Sequence, residues 1–233
     1  MQSRLYHGFM PRRKRITKGG IAYHVMNRAN GRLRIFNKDL DFIAFENILA
    51  EGIERFGMRL CGYCIMSNHW HMLLWPSNDD TMPDFMHWIT LTHTQRWHTA
   101  HGTTGIGHLY QGRYKSFPIQ SNWRYLKAMR YIEANPLRAG IVDTASNWKW
   151  SSFAHRHNAN NVKPFKIDGG PVALPKNWHE LVNETIDEKD SAELINSIKK
   201  GCPYGDKDWT TKTAEQLNLQ STLRGKGRPK KYQ

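Results

Sequence analysis

The chain has few of the features that define secreted or membrane-spanning proteins. Only three of its 233 residues are cysteine, Cys61, Cys64 and Cys202. This odd count is too low for a disulfide framework and is typical of a reducing compartment. No apolar stretch reaches the roughly 20 residues of a membrane span, and the N-terminus lacks the apolar segment of a signal peptide. We therefore expect a soluble, cytoplasmic, nucleoid-associated protein with no membrane partner.

Acidic residues are also scarce. There are 20 Asp and Glu against 34 Lys and Arg, for a formal net charge of +14. This imbalance favours a polyanionic partner, most often nucleic acid. Basic residues interleaved with aromatic rings suit single-stranded nucleic acid, although most of the rings are expected in the core.

The positive charge is densest at the two ends of the chain, where the residues expected to contact DNA are Arg12, Arg13, Lys14, Arg15, Arg228, Lys230 and Lys231. A flexible basic arm can follow a phosphate backbone, and a Gly-Arg-Pro segment can enter a minor groove. These ends could either recognise a DNA sequence or bind DNA by charge attraction alone.

Hydrophobic periodicity predicts the element order β-α-β-β-α-β-α. The predicted strands cover residues 21–27, 58–66, 69–75 and 110–119, and Pro118 indicates that the last is an edge strand. The predicted helices end near residues 56, 99 and 134. The first six elements follow the ferredoxin-like split β-α-β pattern. The expected fold class is therefore an α+β sandwich with an antiparallel sheet and a C-terminal extension.

The composition changes along the chain and suggests three segments. We expect a basic N-terminal arm over residues 1–20 and a catalytic domain over residues 21–155. Residues 156–233 are expected to form the C-terminal extension. A linker at 158–177 and a short helix near 188–199 are predicted within it.

Two histidines in one apolar run are the strongest candidates for chemistry. On a strand, side chains i and i+2 project from the same face, so His69 and His71 lie side by side. Histidine is the commonest metal ligand, although two polar residues at a strand end would show the same pattern. Cys61 and Cys64 resemble half a zinc site, but residues three apart on a strand point to opposite faces.

The third predicted helix carries a tyrosine outside its apolar stripe, in the row Lys127, Tyr131 and Asn135. An amphipathic surface tyrosine would fit this pattern too. If the helix crosses the sheet, His69, His71 and the Asn135 carbonyl oxygen could form a three-ligand site with open positions, which suits Mg²⁺ or Mn²⁺. The Tyr131 phenol would then lie beside the metal as a nucleophile for a phosphodiester.

At these residues the chain resembles the single-tyrosine HUH transposases, and within them the REP-associated tyrosine transposases. The matching segments are Tyr23–Arg28, Met66–His71, Tyr110–Ser116, Tyr131–Pro136 and Arg138–Gly140. The resemblance covers about two thirds of the chain. It implies a ferredoxin-like nuclease that cleaves single-stranded DNA near a hairpin, leaving a 5′-phosphotyrosine and a free 3′-OH.

The resemblance also implies roles for individual residues. It places His69 and His71 as metal ligands, Tyr131 as the nucleophile and Asn135 as the third ligand, where other family members have Gln. Tyr114 is the competing nucleophile. Lys127 and the basic neighbours of Tyr114, Arg113 and Lys115, are expected to contact phosphates.

Three functions are compatible with these features. The first is a metal-dependent endonuclease and strand-transferase acting on single-stranded DNA and DNA hairpins, as a monomer or a homodimer. The second is a non-catalytic nucleic-acid hairpin binder. The third is a histidine-dependent RNA nuclease without a tyrosyl intermediate. Only the first leaves a covalent protein–DNA adduct.

Overall fold

A computed structural model describes residues 15–158, 160–185 and 188–224. Within them, four strands form one antiparallel sheet in the order β2-β3-β1-β4. The strands are β1 (Ala22–Arg28), β2 (Leu60–Met66), β3 (His69–Leu74) and β4 (Lys115–Ile119). The elements follow the predicted split β-α-β order, and the α+β fold class is confirmed.

The first face of the sheet is covered by α1 (Asp39–Phe56) and α2 (Thr81–Ala100). Alternate strand residues, among them Trp70, Met72 and Leu74, pack with the apolar stripes of both helices in a cluster that we call the first core. The helices approach closely because α1 has a glycine at their contact. A Cβ on Gly52 would lie 2.7 Å from the Ile89 Cδ1 atom.

The second face is covered by α3 (Trp123–Glu133) and by later helices, in a cluster that we call the second core. The later helices with residues in this core are α5 (Ser152–His157), α6 (Trp178–Asn183) and α7 (Glu188–Lys200). Two further helices are α4 (Asn135–Arg138) and α8 (Lys207–Gln216). Trp178, Val182 and Leu194 of the extension pack in the second core. None of the helices in the described residues is long and apolar enough to cross a bilayer.

The fourth strand is shorter than predicted. It begins at Lys115, while Tyr110 forms only an isolated bridge with Ala29. The Tyr110 hydroxyl instead turns into the first core, where it accepts a hydrogen bond from Trp70 Nε1 at 3.0 Å and lies 2.6 Å from His93 Nδ1. Because Tyr110 is held in the first core, residues 110–114 do not pair regularly with β1.

Both edges of the sheet are covered by the chain's own backbone. Beside β2, the Ile65 N–H donates to the Trp150 carbonyl at 2.9 Å. Beside β4, the Tyr204 N–H donates to the Pro118 carbonyl at 2.9 Å. β4 is an edge strand, as Pro118 predicts. The covered edges leave little open ladder for pairing with another chain.

The expectation that Cys61 and Cys64 face opposite ways is wrong. The register shifts between Leu60 and Gly62, so Cys61 is an extra residue in β2. Such a bulge changes the alternation of side chains. Both thiols are free and buried in the second core.

A buried carboxylate connects α3 to the helices that follow it. Glu133 is 0% exposed and accepts hydrogen bonds from Ser152 Oγ at 2.5 Å and from Trp178 Nε1 at 2.8 Å. It also forms an ion pair with Arg156, whose guanidinium donates to the Cys61 carbonyl as well. One side chain thus holds α3, α5, α6 and β2 together.

We expect Glu133→Ala to lower the free energy of unfolding by about 3 kcal/mol or more, because it leaves the Arg156 charge without its buried partner. Urea unfolding measures the change. The matched control is Glu184→Ala, because Glu184 pairs with Arg130 at 3.7 Å on the surface; its loss should cost less than about 1 kcal/mol. Equal small costs for both variants would contradict a special role for Glu133.

Candidate active site

His69 and His71 project from the second face of the sheet, the face that α3 covers. Their strand neighbours Trp70 and Met72 fill the first core, so the alternation of β3 directs both imidazoles the other way. The two ring centroids are 5.1 Å apart, with the rings nearly perpendicular. His71 is only 4% exposed, and His69 is partly buried.

A third imidazole, His24 of β1, supports this pair and was not predicted from the sequence. Its Nε2 atom lies 2.9 Å from His71 Nδ1, and Asn68 Oδ1 lies 2.7 Å from His69 Nδ1. Each candidate ligand therefore uses its Nδ1 atom in a hydrogen bond, which leaves Nε2 as the ligating atom. Such partners fix the tautomer and orientation of metal-binding histidines.

Burial keeps these imidazoles neutral. It lowers the pKa of His24 to about 3, and burial with the nearby Arg28 charge lowers the pKa of His69 to about 4. Burial and the neighbouring imidazoles hold the pKa of His71 well below its ordinary value. A metal-binding histidine must be unprotonated, so the site is in the ligating form at neutral pH.

α3 brings Tyr131 to the histidines within one chain. Asn122 caps the start of the helix, where its side chain accepts a hydrogen bond from the Arg124 N–H at 2.9 Å. It lies close to β2 because Gly62 has no side chain; a Cβ there would lie 2.3 Å from Met129 Sδ. The partly buried Tyr131 ring then lies 6.2 Å from the His71 ring, centroid to centroid.

The competing tyrosine lies elsewhere. Tyr114 is 8% exposed and belongs to the first core, on the other side of the sheet from the histidine pair. The Arg15 guanidinium covers its ring, with the carbon Cζ 4.1 Å from the ring centroid. This burial leaves the Tyr114 phenol poorly placed to attack a phosphodiester beside the histidines.

Asn135 follows the end of α3 and is the first residue of α4, where it is partly buried. The described residues hold no group of three or more His, Cys, Asp or Glu placed to bind a metal ion. The histidine pair could offer two nitrogen ligands, so a metal held here would need a third ligand of another type. The amide oxygen of Asn135 is of that type.

Positive charge surrounds the histidines. Arg28 pairs with His69 in the β1–β3 register, so both side chains project from the same face. Arg28, Arg113 and Lys115 line one cleft of about 270 Å³. Arg138 lies over the Tyr131 ring, with its guanidinium carbon 4.3 Å from the centroid. Arg28 and Arg138 lie beside these candidate residues, and sequence reasoning did not single them out.

The remaining predicted DNA contacts are more dispersed. Lys127 Nζ lies 4.7 Å from the centroid of the exposed Trp123 ring, near the start of α3. Arg15 lies over Tyr114, as described above. The other terminal residues fall outside the described part of the chain: Arg12, Arg13, Lys14, Arg228, Lys230 and Lys231.

Comparisons with known proteins bear on the family and the fold of the chain. A family model described as IS200-like transposase matches residues 17–135. The solved structure of a REP-associated tyrosine transposase bound to a REP hairpin is similar over 77% of this chain and 100% of its own, with a TM-score of 0.52 and 18% identity. At that identity the likeness shows a shared fold.

A second solved structure, of a Deinococcus radiodurans protein classified as a transposase, covers 48% of this chain and 88% of its own. Its TM-score of 0.36 at 21% identity is too low to indicate a shared fold. No curated protein matches the chain.

We expect His24 and His69 to stay neutral at about pH 5.5, where an exposed histidine is mostly protonated. Their pKa values in the folded protein lie below the unfolded value. The two histidines therefore make their full contribution to the free energy of unfolding above about pH 6.5, and this contribution is lost as the pH falls from there toward 4. NMR titration of the imidazole resonances measures the pKa values directly. Protonation of either ring near pH 6.5 would contradict the buried, neutral cluster.

Proposed function

Because the chain belongs to the IS200-like transposase family, we propose that it is a metal-dependent endonuclease and strand-transferase of single-stranded DNA. It cleaves near repetitive palindromic DNA hairpins through a 5′-phosphotyrosine intermediate. One observation carries the proposal: the Tyr131 ring lies 6.2 Å from the His71 ring. The REP hairpin bound by the solved neighbour supports hairpins as the substrate class.

In the proposed reaction the Tyr131 oxygen attacks the scissile phosphorus. A bond from phosphorus to the phenol oxygen forms, and the bond to the 3′ oxygen of the preceding nucleotide breaks. The phenol loses its proton and the departing 3′ oxygen gains one. The phosphotyrosine bond conserves the energy of the broken phosphodiester, so a second 3′-OH can reverse the exchange and complete strand transfer.

His69, His71 and Asn135 would hold the divalent metal, Mg²⁺ or Mn²⁺, through two imidazole nitrogens and one amide oxygen. When bound, the ion polarises the scissile phosphate and offsets negative charge in the transition state. His24 is a positioning residue. Its Nε2 atom lies 2.9 Å from His71 Nδ1, so it would accept the Nδ1 proton of His71 and leave the Nε2 lone pair of His71 for the metal.

The surrounding cations would bind the DNA backbone. Arg28, Arg113 and Lys115 line the cleft on the histidine side of the sheet, where they can contact phosphates next to the scissile one. Arg138 stacks on Tyr131 and brings a positive charge to the nucleophile. With a nucleophile, ligands and cations on one face, the site favours catalysis over hairpin binding alone.

We expect Tyr131→Phe to abolish covalent adducts with hairpin oligonucleotides while leaving hairpin affinity within a few-fold, because only the attacking oxygen is lost. Denaturing gels detect the adduct, and fluorescence anisotropy measures affinity. The matched control is Tyr114→Phe, which should retain adduct formation. Adducts that persist in Tyr131→Phe and vanish in Tyr114→Phe would show that the nucleophile is misassigned.

We expect EDTA to stop cleavage by the wild-type protein and added Mg²⁺ or Mn²⁺ to restore it. His71→Ala should abolish cleavage, and added metal should not restore it. Asn135→Ala should be milder because both imidazoles remain. His24→Phe should lower Mn²⁺ affinity by about tenfold or more, through loss of the partner that orients His71. Calorimetric titration with Mn²⁺ measures binding independently of activity. Full cleavage in EDTA would rule out the metal-dependent mechanism.

A further inference from the structure

A second groove lies on the opposite side of the sheet from the histidines. It has a volume of about 680 Å³ and lies between α2 and residues 108–114. One wall is the outer side of α2, with His87 and Leu91, and the other is the loop segment that begins at His108. Such a volume is within the range of ligand-binding clefts.

This groove adjoins the cleft on the histidine side. Asn27, Gln111, Gly112 and Arg113 line both, so the two share the end of the sheet where β1 ends and β4 begins. Gly112 is exposed at this crossing, and a Cβ there would meet no atom within 4 Å. An extended chain can therefore pass from beside His69 over Gly112 into the groove.

The chemistry of the groove suits a polyanion. Arg15 and Arg113 line it, and the described residues that form its walls include no Asp or Glu. The Nη1 atom of Arg15 is buried and has no hydrogen-bond partner in the described structure, and the same is true of Arg28 Nε in the adjoining cleft. A buried guanidinium nitrogen without a partner is costly, and a phosphate oxygen would satisfy it.

The groove also offers surfaces for bases. His87 and His108 are exposed on opposite walls, and Leu91, on the same wall as His87, is 45% exposed. Flat rings and apolar side chains beside a cationic path are the usual elements of single-strand binding, where bases stack and phosphates pair with charge. A duplex stem would present only its phosphates to these groups.

We propose that this groove binds the single-stranded DNA that flanks the hairpin, with phosphates at Arg15 and Arg113 and a base against Leu91, His87 and His108. The inference rests on the proposed function and extends it. It assigns α2 and residues 108–114 to the flanking strand, and the histidine face to the scissile phosphate. The flanking strand would cross the sheet end at Gly112.

The test uses a fluorescein-labelled hairpin with a short oligothymidine flank and the same hairpin with a blunt end. Both are titrated by anisotropy in the Tyr131→Phe background, so no cleavage intervenes. Leu91→Glu, which puts a negative charge in the groove, should weaken binding of the flanked hairpin about tenfold, the scale of one lost stacked base. Arg15→Gln should reduce the salt slope by about 0.7, as for one single-strand phosphate.

Binding of the blunt hairpin should stay unchanged in both variants. The matched control is Leu40→Glu, the same substitution at a position on α1 that is 66% exposed and outside the groove. Equal loss on both hairpins would mean that the groove contacts duplex, and no loss on either would mean that it contacts no DNA. Both results would overturn the inference.

Failure of the proposed function is detected separately. It would appear as the absence of any covalent adduct between the wild-type protein and a panel of flanked hairpins. The binding experiment does not depend on that outcome, because it is carried out without the nucleophile.

Discussion

The position of the candidate nucleophile depends on one buried carboxylate. Glu133 lies two residues after Tyr131, is fully buried, and binds Ser152, Arg156 and Trp178 at once. These contacts fix the end of α3 against β2, α5 and α6. Because a helix is rigid over two residues, they also fix where the Tyr131 ring lies relative to His71. The extension thereby contributes to the geometry of the site through Trp178.

Much of the fold follows from local sequence patterns. The i, i+2 alternation and the apolar stripe of α1 identify the strands and the long helices. The short helices α5, α6 and α8 were not predicted, because six to ten residues give little periodicity. They are stabilised instead by tertiary contacts such as the Glu133 hydrogen bonds. The predicted beginning of the fourth strand at Tyr110 was wrong for a similar reason, since Tyr110 is anchored by the distant residues Trp70 and His93.

The candidate site likewise has some features that local sequence patterns predict and others that they do not. The common face of His69 and His71 is predictable because both lie on one strand with known alternation. The predicted helical row of Tyr131 and Asn135 does not continue in the structure, because α3 ends at Glu133 and Asn135 begins α4. His24 and Arg28 are different: their relation to the histidine pair arises from the β1–β3 register, which pairs Arg28 with His69. That register joins residues more than 40 positions apart. An isolated histidine in an apolar strand gives no sign of its partner across the sheet.

The central claim is that one chain supplies both the histidine pair and the tyrosine of its active site. Mixing Tyr131→Phe protein with His71→Ala protein tests it most directly, with covalent adducts on hairpin DNA as the readout. If the site forms within one chain, the mixture gives no more adduct than either variant alone. Recovery of adducts in the mixture would contradict the account, because it would mean that the tyrosine helix of one subunit serves the histidines of another.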